Sequence, residues 1–233
     1  MDRPRTTDVT WSPLEAIPVL LIALAVTSLA GIPLLDRDVQ QDFCGGAAVI
    51  LNLVGELAFG VTVVLWLRYV SKASVAALRF PRQPLRDVAS GIGVGVGLIF
   101  LGGFTLYLVR EAVSLFTGEP PQQPEQIVAC VRGATLAFMA PVVIVLAPIC
   151  EEIFFRGFLY NGLRRRLPVW GAAVVSSVVF GLVHVHPLLI PPLFVVGLGL
   201  ALLYERQQSL LAPVVAHATF NILGFVMIAL GRQ

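Results

Sequence analysis

Pro148-Ile149-Cys150-Glu151-Glu152-Ile153-Phe154-Phe155-Arg156 places two adjacent acids and a base at the end of a long apolar run. Residues Gly133 to Ile149 carry no charge, and apolar character resumes at Phe158 and Leu159 before the basic run Arg164-Arg165-Arg166. An ionisable group at the centre of a membrane helix costs roughly 2.5 to 3.5 kcal/mol on insertion scales, and it usually faces a protein interior where it has a role. The stretch therefore reads as a membrane helix that carries a functional site.

The composition around it agrees. Of the 233 residues, 57% are hydrophobic and 13% charged, and the mean hydropathy is +0.87. A soluble domain carries about twice that share of charge, so the chain is expected to be an integral membrane protein. A net charge of +2, with no Lys/Arg cluster long enough to follow a phosphate backbone, argues against a nucleic-acid partner. Cys44, Cys130 and Cys150 are odd in number and scattered, unlike a disulfide framework or a metal-binding cysteine motif.

Apolar runs near the length of about 20 residues that a spanning helix needs occur seven times. They cover Ile17 to Leu35, Ala47 to Leu67, Val88 to Phe116, Gly133 to Tyr160, Val169 to Val185, Leu188 to Tyr204 and Leu210 to Leu230. The first is too long for the core of a signal peptide. The expected fold class is thus all-α, a polytopic transmembrane bundle of about seven spans. Residues 1–132 are expected to form a polar arm and three accessory spans, and 133–233 a catalytic core. Arg68, Lys72, Arg79, Arg82 and Arg86 follow the second span, and Arg164, Arg165 and Arg166 follow the fourth. Cytoplasmic loops are rich in such residues. The connections bearing Asp36, Arg37, Asp38 and Asp42, or Arg110, Glu111, Glu119, Glu125 and Arg132, are acidic or balanced and are placed outside. The N-terminus is then cytoplasmic, and the Arg-rich, Ala/Val/Leu/Gly-rich composition suggests a bacterial inner membrane.

Gly91, Gly93, Gly95 and Gly97 in the third span contain two Gly-x-x-x-Gly pairs, a spacing that lets helix backbones approach closely. Asn52 and Glu56 lie one turn apart in the second span. Glu56 either lines a polar cavity or hydrogen-bonds a neighbouring helix.

On the fourth helix Glu152 and Arg156 are four residues apart and stack on one face. Glu151 is rotated by about 100 degrees from Glu152 and has no such partner, which leaves it available as a general base. All three histidines lie in the last third, His184 and His186 near the end of the fifth span and His217 in the seventh. At 1.5 Å rise per residue, His184 is about 21 Å from Trp170 and His217 about 16 Å from Arg206, both near the depth of Glu152. His217 and Asn221 share a helix face. His186, just before Pro187, is expected at a loop or rim. Acid, imidazole and amide at one level suit hydrolysis by an activated water. Glu151 would take the water proton with His184 orienting that water, while His217 and Asn221 donate to the developing oxyanion. Two histidines and a carboxylate also form the ligand set of many zinc hydrolases, here Glu151, His184 and His217. The sequence lacks His-Glu-x-x-His, so a metal-free reaction is favoured and no cofactor is required, with zinc left as the alternative.

Glu151-Glu152-x-x-x-Arg156, Phe180-x-x-x-His184 and His217-x-x-x-Asn221, in that order on successive membrane helices, resemble the three motifs of the CPBP family. This family holds the CAAX proteases and bacteriocin-processing (Abi) proteins. The resemblance covers about Gly133 to Leu230. It implies an intramembrane endopeptidase whose first motif glutamate is the base, with Glu151, Glu152, Arg156, His184, His217 and Asn221 as catalytic positions and Phe180 toward the substrate. The substrate is expected to be a membrane-associated or C-terminally anchored protein or peptide in the bilayer. Two other classes remain: a non-catalytic membrane binding or immunity protein, and a transporter, which the lack of a second, similar half disfavours.

Overall fold

The computed structural model describes residues 9–32, 45–79, 81, 83–119, 121 and 133–230, with side chains described as far as Met227. Among these the chain is helical, with no strand. Seven helices carry it: α1 (Ala16–Gly31), α2 (Gly46–Tyr69), α3 (Pro84–Thr117), α4 (Gly133–Arg164), α5 (Val169–Val183), α6 (Ile190–Gln207) and α7 (Leu211–Leu230). They match the seven expected spans. Five are long and apolar enough to cross a membrane, and α5 and α7 are the shorter apolar helices. The polar residues Asp2, Arg3, Arg5 and Asp8, the connection with Asp36, Arg37, Asp38 and Asp42, and Arg82, Glu125, Arg132, Cys44 and Cys130 lie outside the described residues.

Helix ends follow local chemistry. Before α1, the Ser12 backbone N–H donates to the Glu15 carboxylate at 2.7 Å and the Ser12 hydroxyl accepts from Leu14 N–H, a reciprocal cap over the turn Pro13–Glu15. Helices α3 and α6 each begin with proline in the first turn, where a missing N–H costs nothing. Helix α3 ends at Gly118, φ +78°, in the left-handed conformation that glycine adopts without strain.

The helices gather into two compact units: α1, α2 and α4 in the first, and α3, α5, α6 and α7 in the second. The segment 133–233 is therefore divided, with α4 in the first unit and α5, α6 and α7 in the second.

In the first unit α2 packs against both α1 and α4. The approach to α4 is close at Gly60, where a Cβ would lie 2.8 Å from the Cys150 sulfur and 3.4 Å from its Cα. Helix α4 is not uniformly α: Val142–Leu146 and Ile153–Tyr160 are π-helical. Pro148 has no N–H to give, and just before it the Ala147 N–H reaches back five residues to the Val142 carbonyl. The second π segment begins directly after Glu152. Wider turns of this kind often sit at functional sites.

In the second unit α3 packs against α6 and α7, and α5 against α6. Only one of the two Gly-x-x-x-Gly pairs in α3 makes the close approach. A Cβ at Gly91 would meet Val215 at 2.7 Å, and one at Gly95 would meet the Ala216 carbonyl at 2.5 Å. Gly93 and Gly97 have nothing within 4 Å. The expected packing role holds for the first pair and not the second.

Candidate active site

The expected site residues divide between the units, with Glu151, Glu152 and Arg156 in the first and Phe180, His184, His217 and Asn221 in the second.

In the first unit Arg156 donates to Glu152 at 2.7 Å, and both side chains are completely buried. The guanidinium also lies 5.7 Å from the Phe155 ring centroid, and Phe154, Phe155 and Phe59 form an aromatic cluster of edge and stacked contacts beside it. Two opposite charges that satisfy one another can occupy such an apolar interior, whereas either alone would carry the full desolvation penalty. The pairing expected from the i, i+4 spacing is thus present.

Glu151 differs from its neighbour. It is half-buried, and one of its carboxylate oxygens is sequestered from solvent without a hydrogen-bond partner. A second acid approaches it from α2. Glu56 and Gly60 are one turn apart on a common face, and Gly60 touches Cys150, the residue before Glu151. Glu56 likewise has a buried carboxylate oxygen without a partner.

The end of α4 is tied down by contacts that the sequence did not disclose. The Trp11 indole N–H donates to the Phe158 carbonyl at 2.9 Å, and its ring stacks on Phe158 at 5.4 Å. Asn161 donates to the Gly157 carbonyl at 2.9 Å. Arg165 donates to the Thr10 and Trp11 carbonyls at 3.0 and 2.9 Å. The short arm before α1, expected to be merely polar, in fact buries Val9 and Trp11.

In the second unit His184 caps the C-terminus of α5, and its Nδ1 lies 2.8 Å from the Phe180 carbonyl. A carbonyl only accepts, so Nδ1 carries the hydrogen, and in the neutral ring Nε2 keeps its lone pair for another partner. The chain turns sharply here: Val185 has φ +57°, a conformation that costs a β-branched residue on the order of 1–3 kcal/mol. His186 then leaves the helix and begins the turn Pro187–Leu189, in keeping with its expected loop position. His217 on α7 is buried and Asn221, one turn on, is half-buried. Phe180 is fully buried, and both imidazoles meet its ring, His184 at 5.0 Å and 61° and His217 at 5.7 Å and 74°. The two histidines, 33 positions apart in sequence, thus share one aromatic neighbour. Within neither unit do the described residues gather three or more His, Cys, Asp or Glu side chains able to hold a metal ion.

The comparisons with known proteins bear on this arrangement. Residues 133–223 match the family model described as type II CAAX prenyl endopeptidase Rce1-like, a span that includes all three motifs. Over 226 residues the chain is 25% identical to the "Putative membrane peptidase YdiL" of Bacillus subtilis (strain 168), covering 88% of this chain and 85% of that protein. A shorter stretch of 89 residues is 34% identical to an "Uncharacterized 24.3 kDa protein" of Escherichia coli, covering 36% of this chain and 41% of that one. No solved structure matches this chain.

Proposed function

The chain belongs to the CPBP family, through the Rce1-like endopeptidase match of its residues 133–223, and from that premise we propose that this membrane peptidase cleaves its substrate with a water activated by glutamate and histidine. The substrate would be a membrane-associated or C-terminally anchored protein. The observation that carries the reading is the unequal state of the two adjacent acids. Glu152 is committed to Arg156 in a completely buried ion pair, while Glu151 is only half-buried and makes no ion pair among the described residues.

Glu151 is the general base. It takes one proton from water, and the resulting hydroxide attacks the peptide carbonyl. It then returns the proton to the departing amine. His184 supports the water through Nε2, the nitrogen left free when Nδ1–H donates to the Phe180 carbonyl. His217 and Asn221, on one face of α7, donate to the oxyanion. The Nε2 lone pair would suit a zinc ion as well as a water. A zinc-bound version would take Glu151 and His217 as the other protein ligands, and the metal would supply Lewis-acid polarisation of the carbonyl.

The test compares membrane and secreted proteins, scored for new peptide termini, between cells producing wild-type protein and cells producing Glu151→Gln at matched levels. Glutamine keeps the shape and removes the base. The expected result is a set of termini lost in the variant, which also displays the cleavage sequence. Identical termini with the variant folded and abundant would favour a non-catalytic binding role. A peptide carrying the recovered cleavage sequence is then cleaved by purified protein. Activity that persists after exhaustive chelation is expected, and its loss with recovery on adding zinc would establish the metal version.

A further inference from the structure

Helix α6 carries no motif residue, yet it touches the centre of the histidine cluster. Gly197 lies against α5 so closely that a Cβ there would stand 3.2 Å from the Phe180 ring and 3.2 Å from the Ser177 Cα. Phe180 is completely buried, so its ring cannot retreat into solvent. It meets His184 on its own helix and His217 on α7, and its backbone carbonyl accepts the His184 Nδ1–H. Phe180 therefore bears on three things at once: through its ring the tilt of each imidazole, and through its backbone carbonyl which His184 nitrogen bears hydrogen.

We infer that Phe180 is a positioning residue for both histidines, and that Gly197 fixes its place by leaving room for its ring and no more. This rests on the peptidase reading above, in which the two imidazoles act on water and substrate. Contacts at 3.2 Å leave a packed interior little slack. An added methyl at Gly197 forces the ring or the α5 backbone to give by a few tenths of an ångström. The displacement passes to both imidazoles, because both lean on the same ring. Sub-ångström errors of that kind matter more to bond-making geometry than to substrate affinity.

The experiment uses Gly197→Ala, Phe180→Leu and, as control, Gly93→Ala, whose Cβ would meet nothing within 4 Å. Two readouts are taken on the full chain in detergent micelles. The first is the side-chain nitrogen resonances of the histidines, recorded without substrate. With three histidines in the chain, they can be assigned by single replacement. The second is kcat and KM on the peptide identified by the Glu151→Gln comparison. The expected result is that Gly197→Ala moves the His184 and His217 resonances together and lowers kcat by roughly tenfold or more, with KM within about twofold and the folded fraction unchanged. Phe180→Leu moves the same two resonances further, and Gly93→Ala matches wild type. Unmoved resonances in Phe180→Leu would overturn the proposal, as would a Gly197→Ala kcat that falls only with the folded fraction. The resonances do not depend on cleavage, so failure of the peptidase reading would show in the Glu151→Gln comparison alone.

Discussion

Arg156 and Glu152 form a buried ion pair in the interior of the first unit. Both are fully buried and each is the other's counter-charge at 2.7 Å. Removing one partner strands a charge in an apolar environment, a loss of about 3–5 kcal/mol, whereas replacing both with apolar residues of similar volume is often neutral or stabilising. Glu152→Gln and Arg156→Ala should therefore each lower unfolding stability in detergent by about that amount, and the double change Glu152→Leu with Arg156→Met should recover much of it. Single variants as stable as wild type would remove the pair from its structural role. This interaction was legible in the sequence, since spacing by four on a helix suffices to draw it. Glu56 was not. Its neighbour Glu151 comes from a helix 95 positions away, and only the close approach at Gly60 brings the two acids together. Trp11 was not singled out for a related reason, because a polar arm of a few residues gives no hint that an indole within it will stack on Phe158.

At the scale of the element, helix α3 shows how a motif can be visible without its face being so. Gly91 and Gly93 are about 200 degrees apart on a helix, so the two Gly-x-x-x-Gly pairs point to nearly opposite sides, and periodicity alone favours neither. Contact with α7 decides between them: Gly91 and Gly95 meet Val215, Thr219 and the carbonyls of Ala212 and Ala216, and the other pair meets nothing. Gly95→Ala should destabilise by about 1–3 kcal/mol through overpacking, because the nearest atom is a backbone carbonyl that cannot swing away. Gly93→Ala should be neutral or stabilising by up to about 1 kcal/mol, since alanine is the better helix former. Thermal unfolding of the two variants in one detergent checks this, and equal effects would mean that α3 does not use the 91/95 face. Ala216 precedes His217, so this packing also sets the depth of a site residue. The π segments of α4 were not legible in advance. Pro148 rationalises the first of them, but a proline in a membrane helix can equally produce a simple kink.

For the whole molecule, seven helices followed from hydropathy alone because each apolar run is near the length of a spanning helix, while the side on which each end lies needs separate evidence. Contacts within the first unit supply part of it. The arm before α1 holds Arg165 at the end of α4. Glu15 accepts from Trp66 and Ser71 at the end of α2, at 2.8 and 2.6 Å. Asn161 of α4 reaches the Ala77 carbonyl in the turn that follows α2. These three chain ends therefore share one face of the membrane, and it is the face that holds Lys72, Arg79 and Arg164 to Arg166. On the positive-inside bias, that face is expected to be the cytoplasmic one. Helix α3 is 34 residues long, about 51 Å at 1.5 Å per residue. That exceeds the roughly 30 Å hydrocarbon core, so its far end at Glu119 should emerge on the opposite side. With Cys44→Ser and Cys130→Ser as background, a membrane-impermeant maleimide should label Glu119→Cys but not Ala76→Cys in intact cells, and both after lysis. The reverse pattern would invert the orientation while keeping the span count. Labelling of both in intact cells would mean that α3 does not cross, and every later span would then have to be reassigned.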